Sequence, residues 1–486
     1  MFSPSRYQTA IFDFIRSGTG NASIQAVAGS GKTTTIVEAL KLTQGSAVFL
    51  AFNKSIAETL KARCPSNVQA RTFHSLCYRP VLTVVGARTV NDQKISQLIR
   101  DRLLKTDARL YGSFVRRLIG LARNAGLGAL RPLDGAGLYE LVDHHELVLE
   151  SEEAEESIGI EHARRLLEAS NASSEVDFDD LLYFAVLKGV RLPTFEWVFV
   201  DEAQDTNAIQ RAILRKILAR GGRLVAVGDS AQAIYGFRGA DSDAMELLAQ
   251  EFEPCTRLPL SVTYRCARSV TQYAQEFVPS IEPRENAPEG SVEEVGVTWK
   301  LKDLGQHDLV VCRNTKPLID LGYRLMRARI PVRIMGRDLG EGLAALARRC
   351  DTGRGLDAFV ERLEAWRDRE YEKAIAKDLE TKAEAILDRA DTLLMLAAEL
   401  PEDSRSVEAL LNVLAQLFTD ANNRVTLSTV HKAKGLEAET VWWLAPSLCP
   451  SRWARQPWQL SQEHNIMYVA ITRAKTRLVK IELPAR

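Results

Sequence analysis

Long apolar runs are missing from this chain: none approaches the roughly 18 residues that a membrane-crossing helix needs. The N-terminus shows no basic-then-apolar leader, so no membrane association is expected. Cysteine is sparse, with seven scattered residues (64, 77, 255, 266, 312, 350 and 449) and no C-x-x-C pair. That pattern argues against a zinc or iron–sulfur centre and against a disulfide framework, and it fits a reducing compartment. Net charge is absent too, because 63 Lys and Arg balance 63 Asp and Glu. Any polyanion would have to be held by a locally basic groove rather than by overall attraction. Internal repeats and low-complexity segments are also lacking. What remains is ordinary globular composition, 46% hydrophobic and 26% charged over 486 residues. On length alone that is enough for roughly three domains, each with its own core.

Two strand-rich blocks are each interrupted by a helix-rich stretch. From Ser23 to His74, strand-like runs (24–27, 48–52, 68–71) alternate with helical ones (33–42, 56–61), as βαβ units do. Residues of about 85–177 lose the alternation and read as helices, including 94–104 and 113–124, with a solvated acidic run at 150–156. Strands return at 197–200, 223–228, 308–312, 424–429 and 440–444, while 343–420 is rich in Ala, Leu, Glu, Arg and Asp at helical spacing. The expected fold class is α/β: two P-loop nucleotide-fold cores with parallel sheets, each carrying a helical insertion.

The chemistry is concentrated at strand ends. Ala26-Val27-Ala28-Gly29-Ser30-Gly31-Lys32-Thr33-Thr34 lies between a strand and a helix. Gly29 and Gly31 let backbone N–H groups approach phosphates, aided by the positive end of the following helix. Lys32 would reach the β- and γ-phosphates, and the Thr33 hydroxyl would ligate Mg²⁺. The strict pattern wants Gly where Ala26 stands, so the match is imperfect.

The apolar run 197–200 then ends in Asp201 and Glu202, at the strand edge where open α/β sheets place ligands. Two readings compete for these acids. They cap the next helix, or they meet a cation and a reacting group, since carboxylates there are otherwise costly. The upstream phosphate loop favours the second, with Asp201 holding Mg²⁺ and Glu202 polarising the attacking water.

A third strand end, Leu224–Gln232, leads into Tyr235-Gly236-Phe237-Arg238. Core burial of Phe237 is one reading. A platform for stacking bases is the other, each stack being worth roughly 1–3 kcal/mol whatever the sequence.

In order along the chain, Gln8, the loop 26–33, 49–54, Thr72-Phe73-His74-Ser75, Asp177-Phe178-Asp179-Asp180-Leu181, 201–205, 228–238, Tyr264-Arg265, 430–437 and 468–474 form a set that resembles superfamily 1 DNA helicases of the UvrD/Rep type. The resemblance covers nearly the whole chain. Its compact size and wording are similar to a small branch that includes the F-box DNA helicase motor. Gln8 stands almost at the start, so no F-box-like extension is expected.

The resemblance implies two RecA-like cores: 1–84 and 178–260 forming the first, 261–342 and 421–486 the second. Residues 85–177 and 343–420 would be their insertions. It implies ATP and Mg²⁺ as cofactors, with Ala28–Thr34 on the phosphates, Gln8 at the adenine edge and Tyr264 stacked on the base. Glu437 would touch the ribose, and Gln232, Arg265 and Arg473 would sense the γ-phosphate. An arginine finger can be worth about 10³–10⁵ in rate. The implied single-strand track comprises Phe52, Thr72, His74, Tyr235, Phe237, Arg238 and His431, with Phe237 where larger relatives commonly carry Trp.

The implied partners are single-stranded DNA and single-strand/duplex junctions, plus an unidentified loading protein, inside the cell in cytoplasm or nucleoid (or a nucleus). The wording His-x-x-Lys-Gly-Leu-Glu over 431–437 implies 3′ to 5′ movement. Cleft closure on ATP would drive stepping. Two alternatives stay open, a protein-displacing translocase that unwinds weakly and an ATP-gated DNA-binding switch. The short second insertion and the chain's end soon after Lys480 make unwinding less firmly implied than translocation. The aromatic–basic loop 452–458 reads either as a DNA or domain-closure contact or as a packed surface loop.

Overall fold

A computed structural model of the chain describes residues 3–51, 54–61, 63–147, 149, 153–236, 239, 241, 243–376, 380–402, 405–418 and 424–483. It divides into two compact units, residues 1–262 and 263–486.

The first unit opens with α1 (Arg6–Ser17), started by a reciprocal cap in which Ser5 and Gln8 exchange side-chain and backbone hydrogen bonds. There follow β1 (Asn21–Ala26), α2 (Lys32–Leu40), β2 (Ala47–Leu50), α3 (Lys54–Lys61) and β3 (Val68–Arg71). Six helices then intervene: α4 (Phe73–Val85), α5 (Lys94–Arg102), α6 (Lys105–Asn124), α7 (Gly135–His144), α8 (Glu156–Ala172) and α9 (Asp180–Leu187). The sheet resumes with β4 (Phe195–Val200), α10 (Ala208–Ile217), β5 (Leu218–Gly228), α11 (Ala244–Glu251) and β6 (Cys255–Leu260).

The strands lie in the order β3-β2-β4-β5-β1-β6, every pair parallel. Parallel pairing demands a helical crossover between strands and brings all C-terminal strand ends to one edge. Strand alternation sorts the apolar side chains between two faces. Val48, Leu50, Val198, Val200 and Leu224 join one core with Tyr111, Phe114, Leu118 and Leu166 of the inserted helices. Phe49, Phe199, Val225 and Val227 join the opposite core with Ile11, Ile36 and Leu40. Each such buried side chain contributes about 1.5–3 kcal/mol, so the insertion is bonded to the sheet by the same apolar burial that holds the sheet itself.

After the two-residue β7 (Val262–Thr263) at the boundary, the second unit holds α12 (Arg268–Ala274), β8 (Glu282–Pro283), β9 (Ser291–Gly296), β10 (Leu309–Cys312), α13 (Thr315–Arg327) and β11 (Val332–Ile334). Four helices follow, α14 (Arg337–Cys350), α15 (Leu356–Ile375), α16 (Glu380–Glu399) and α17 (Val407–Leu417). The unit closes with β12 (Val425–Thr429), α18 (Val430–Ala433), β13 (Ala438–Leu444), α19 (Pro457–Ile471) and β14 (Ala474–Ile481). Its main sheet is again parallel, in the order β11-β12-β10-β13-β14-β9. Leu343, Phe359, Leu393, Leu410 and Leu414 of the four helices share one core with Val310, Leu427 and Trp442 of the sheet. Asp388 of α16 also accepts from the backbone N–H groups of Thr315 and Lys316, capping α13.

Strands β6, β9, β11 and β14 escape the sequence reading. Three of them lie at sheet edges, where half-exposed backbone carries mixed residues such as Pro259, Glu293 and Glu294 in place of apolar runs. Among the described residues, no helix is long and apolar enough to cross a membrane.

Candidate active site

β1, β4 and β5 are near neighbours in the first sheet, and their C-terminal ends carry the loop 27–31, Asp201-Glu202 and Asp229. Ala26 is the last residue of β1, in ordinary strand conformation, so that position does not need glycine. The next turn does: Gly29 has φ 70 and Gly31 has φ 76, in the left-handed region that favours a residue without Cβ. Gly31 caps α2, and its carbonyl accepts from the Thr35 N–H and hydroxyl. Ala28 and Ser30 are buried, and Ser30 Oγ has no hydrogen-bond partner among the described residues. A buried hydroxyl with nothing to bond, in a glycine turn that leads straight into the N-terminus of α2, suits a phosphate-bearing ligand.

Lys32 Nζ lies 3.3 Å from Glu202 Oε2, and Thr33 Oγ1 donates to Asp201 Oδ2 at 3.4 Å. Burial is the largest influence on Lys32 and would lower its pKa. Glu202, Asp229 and Asp201 together outweigh it and hold the ammonium above its usual value. Burial, then Glu202, pushes Asp201 up to about 6. The Asp201 carboxylate and the Thr33 hydroxyl, 3.4 Å apart, are a pair of oxygens of the kind a hard divalent cation takes. Thr33 and Asp201 thus fit the expected Mg²⁺ ligands. Thr34 follows in the first turn of α2, half-buried.

Glu202 adopts φ 51 and ψ 41, left-handed backbone that non-glycine residues adopt at a cost. Its Oε2 accepts from Gln204 Nε2 at 2.5 Å, and Gln204 Oε1 accepts from the Asp229 N–H at 2.9 Å. Asp229 in turn accepts from Gln232 Nε2 at 2.5 Å and from the Ala231 N–H. One hydrogen-bonded chain therefore runs from Glu202 to Gln232, three residues before Tyr235. Gly228 makes it possible, because a Cβ there would stand 2.6 Å from Gln204 Oε1. Gln8, buried on α1, donates to Thr35 Oγ1 at 2.9 Å and so sits against the first turns of α2.

Along the same unit, Thr72 caps α4, and His74 stacks on Phe178 with ring centroids 4.0 Å apart and planes within 16°. Burial lowers His74 to about 4, so it is neutral. Phe178 is 53% exposed, yet it was not among the expected track residues. The available signal was a lone aromatic set between Asp177, Asp179 and Asp180, which no amphipathic pattern explains. Tyr235 is half-buried beyond Gln232. Phe52, Phe237 and Arg238 lie outside the described residues.

In the second unit, Arg265 and Glu437 are brought together, Nε to Oε2 at 2.7 Å, with Lys475 3.2 Å from the same carboxylate. Burial alone would raise Glu437, but Arg265 and Lys475 hold it below its usual value. Arg473 is 1% exposed and donates to the carbonyls of Val469 and Leu436. Tyr264, beside Arg265, is 40% exposed. His431 is half-buried in α18, which follows β12. In the 452–458 loop, Arg452 covers the Trp453 ring at 4.6 Å, and the preceding Ser451 is tied to Glu384 and Glu463.

The pattern of the UvrD/REP helicase N-terminal domain matches residues 8–253, and that of the UvrD-like helicase C-terminal domain matches residues 352–482. Among curated proteins the chain is similar to F-box DNA helicase protein 1 of Schizosaccharomyces pombe. The two are 26% identical over 510 aligned residues, covering 94% of this chain and 55% of that protein. It is also similar to a probable DNA helicase II homolog of Mycoplasma pneumoniae, 26% identical over 56% of this chain and 42% of that one. The ATP-dependent DNA helicase PcrA of Staphylococcus aureus is 25% identical over 54% of this chain and 38% of its own. The chain spans about half the length of the curated relatives it matches.

Proposed function

This chain belongs to the UvrD/REP helicase family, and from that membership we propose that it is an ATP-dependent single-stranded DNA translocase and DNA helicase moving 3′ to 5′. The observation that carries the proposal is the chain of hydrogen bonds from Glu202 through Gln204 and Asp229 to Gln232. It would give hydrolysis a physical route as far as Gln232, three residues before Tyr235.

In this reading the loop 28–34 and Lys32 hold the triphosphate, and Gln8 and Tyr264 hold the base. Mg²⁺ on Thr33 and Asp201 would neutralise charge on the phosphate oxygens when bound. Glu202 orients a water for in-line attack on the γ-phosphorus and takes up its proton as the bond to ADP breaks. Arg265 and Arg473 are the cations that stabilise charge on the γ-oxygens, with Glu437 turning from Arg265 to the ribose. Gln204 reports the changed state of Glu202 to Asp229 and Gln232. Thr72, His74, Phe178, Tyr235, Phe237, Arg238 and His431 grip the strand through phosphate contacts and base stacking. Single strands and junctions are the proposed substrates.

A second reading, a translocase that displaces proteins and unwinds weakly, is favoured by one feature. Helices α14–α17 share the core of their own sheet, as a compact part of that unit. Strand displacement on 3′-tailed, 5′-tailed and blunt duplexes with ATP tests both. Unwinding of the 3′-tailed duplex alone supports the main proposal. Strand-stimulated ATPase without displacement supports the second, and an ATPase indifferent to nucleic acid removes both.

A further inference from the structure

Between α5, α6, α8 and the turn that opens α9 lie four charged side chains with almost no access to water: Lys94, Arg123, Asp177 and Asp180. Arg123 Nη1 reaches both oxygens of Asp177, at 3.1 and 2.8 Å, while its Nη2 lies 2.9 Å from Asp180 Oδ1 and donates to Ser170 Oγ. Lys94 Nζ lies 2.6 Å from Asp180 Oδ2 and donates to the Ser170 carbonyl. The two carboxylates also close the turn on itself, since the Asp177 N–H donates to Asp180 and the Asp180 N–H to Asp177. Phe178 and Asp179 are the exposed residues inside that closed turn, and Phe178 stacks on His74.

Buried charges of this kind are a poor way to stabilise a fold, because well-packed apolar residues of equal volume do as well or better. What a planar guanidinium fork supplies is geometry. A loop aromatic left loose would lose backbone and side-chain freedom each time it gripped a base. Here the turn is fixed from three inserted helices before any ligand arrives.

We propose that Arg123, supported by Lys94, is a positioning residue for strand binding: it locks the Asp177–Asp180 turn so that Phe178 and His74 present a preformed stacking surface to single-stranded nucleic acid. The helical insertion thereby sets the strength of the grip. The inference rests on the strand-binding reading above and adds to it a residue that touches no ligand.

The test is a double-mutant cycle on the full chain, using fluorescence anisotropy with a labelled oligothymidylate and the DNA dependence of ATPase. Phe178→Ala is expected to weaken binding about 5- to 100-fold. Arg123→Met is expected to weaken it at least about 5-fold in the wild-type background but less than about 2-fold once Phe178 is Ala. Half-activating DNA concentration should rise while the maximal rate holds, and Arg123→Lys should restore part of the affinity. Asp177→Asn replaces Arg123→Met if the latter fails to fold. Equal losses from Arg123→Met in both backgrounds overturn the positioning role and leave the platform standing. Unchanged affinity in Phe178→Ala removes the platform and the proposal with it.

Discussion

Gly228→Ala should destabilise the first unit by about 3 kcal/mol, a large effect for one methyl group. The added Cβ would stand 2.6 Å from Gln204 Oε1, 2.6 Å from Met245 Sδ and 2.9 Å from the Gln204 backbone nitrogen. Met245 is flexible enough to yield, but the backbone is not, and Gln204 is 1% exposed with nowhere to go. Overpacking of this kind costs about 1–3 kcal/mol. Displacing the Gln204 amide also breaks its bonds to the Asp229 N–H and to Glu202, worth about 1 and about 1.5–3 kcal/mol when intact. One movement relieves the clash and breaks the bonds, so the terms overlap and do not add in full.

Urea unfolding, with separate probes for the two units so that each transition is fitted on its own, reads the change. The diagnostic control is Gln204→Ala, which removes the amide from the clash. In that background Gly228→Ala should cost at least about 1 kcal/mol less, because the displaced bonds are already gone. A Gly228→Ala protein within about 0.5 kcal/mol of wild type, well inside ordinary surface substitutions, would refute the packing argument. An identical cost with and without the Gln204 side chain would refute the coupling of glycine to amide.

Glu202→Gln should retain nucleotide and strand binding while losing turnover by about 10²–10⁴-fold, as removal of a general base does. Steady-state ATPase beside equilibrium nucleotide binding checks it, and normal turnover excludes Glu202 as the base. Arg265→Ala and Arg473→Ala should both depress ATPase but differ in stability. Arg265 and its partner Glu437 are partly exposed, so that loss should be about 0–1 kcal/mol. Arg473 is buried on two carbonyls, so its removal should cost the second unit about 1–3 kcal/mol. Equal melting of the two variants would contradict this.

His74 and His145 are each lowered to about 4 by burial, from an ordinary 6.5. Between those values the unfolded chain binds protons that the folded chain refuses, so stability falls as pH drops from 6.5 toward 4. His74→Gln should make that slope shallower in pH-dependent unfolding.

What the sequence made legible was local. The phosphate loop, its strand and its helix are contiguous, and Asp201-Glu202 closes an apolar run, so their chemistry could be read without the fold. Contacts between distant residues were not legible. Arg123 meets Asp177 across 54 positions and Gln204 meets the Asp229 N–H across 25, and no spacing rule links such pairs. The Ala26 departure from the phosphate-loop pattern is harmless because Ala26 ends β1 and the left-handed turn begins only at Gly29. Phe178 stands within the 177–181 motif, but exposed aromatics have no periodicity, and its place beside the expected track residue His74 shows only in the stacking of the two rings.

The left-handed backbone at Glu202 gives this site an evolutionary gauge. A glutamate there costs about 1–2 kcal/mol over a glycine through backbone strain alone, and the penalty recurs in every generation whether or not hydrolysis is needed. Selection for sturdiness alone would drift this position to glycine or asparagine. If Glu202 serves hydrolysis as proposed, that use is what would keep a glutamate in so awkward a conformation. A descendant that kept the loop and lost the glutamate would be expected to bind nucleotide, fold more robustly and no longer turn it over.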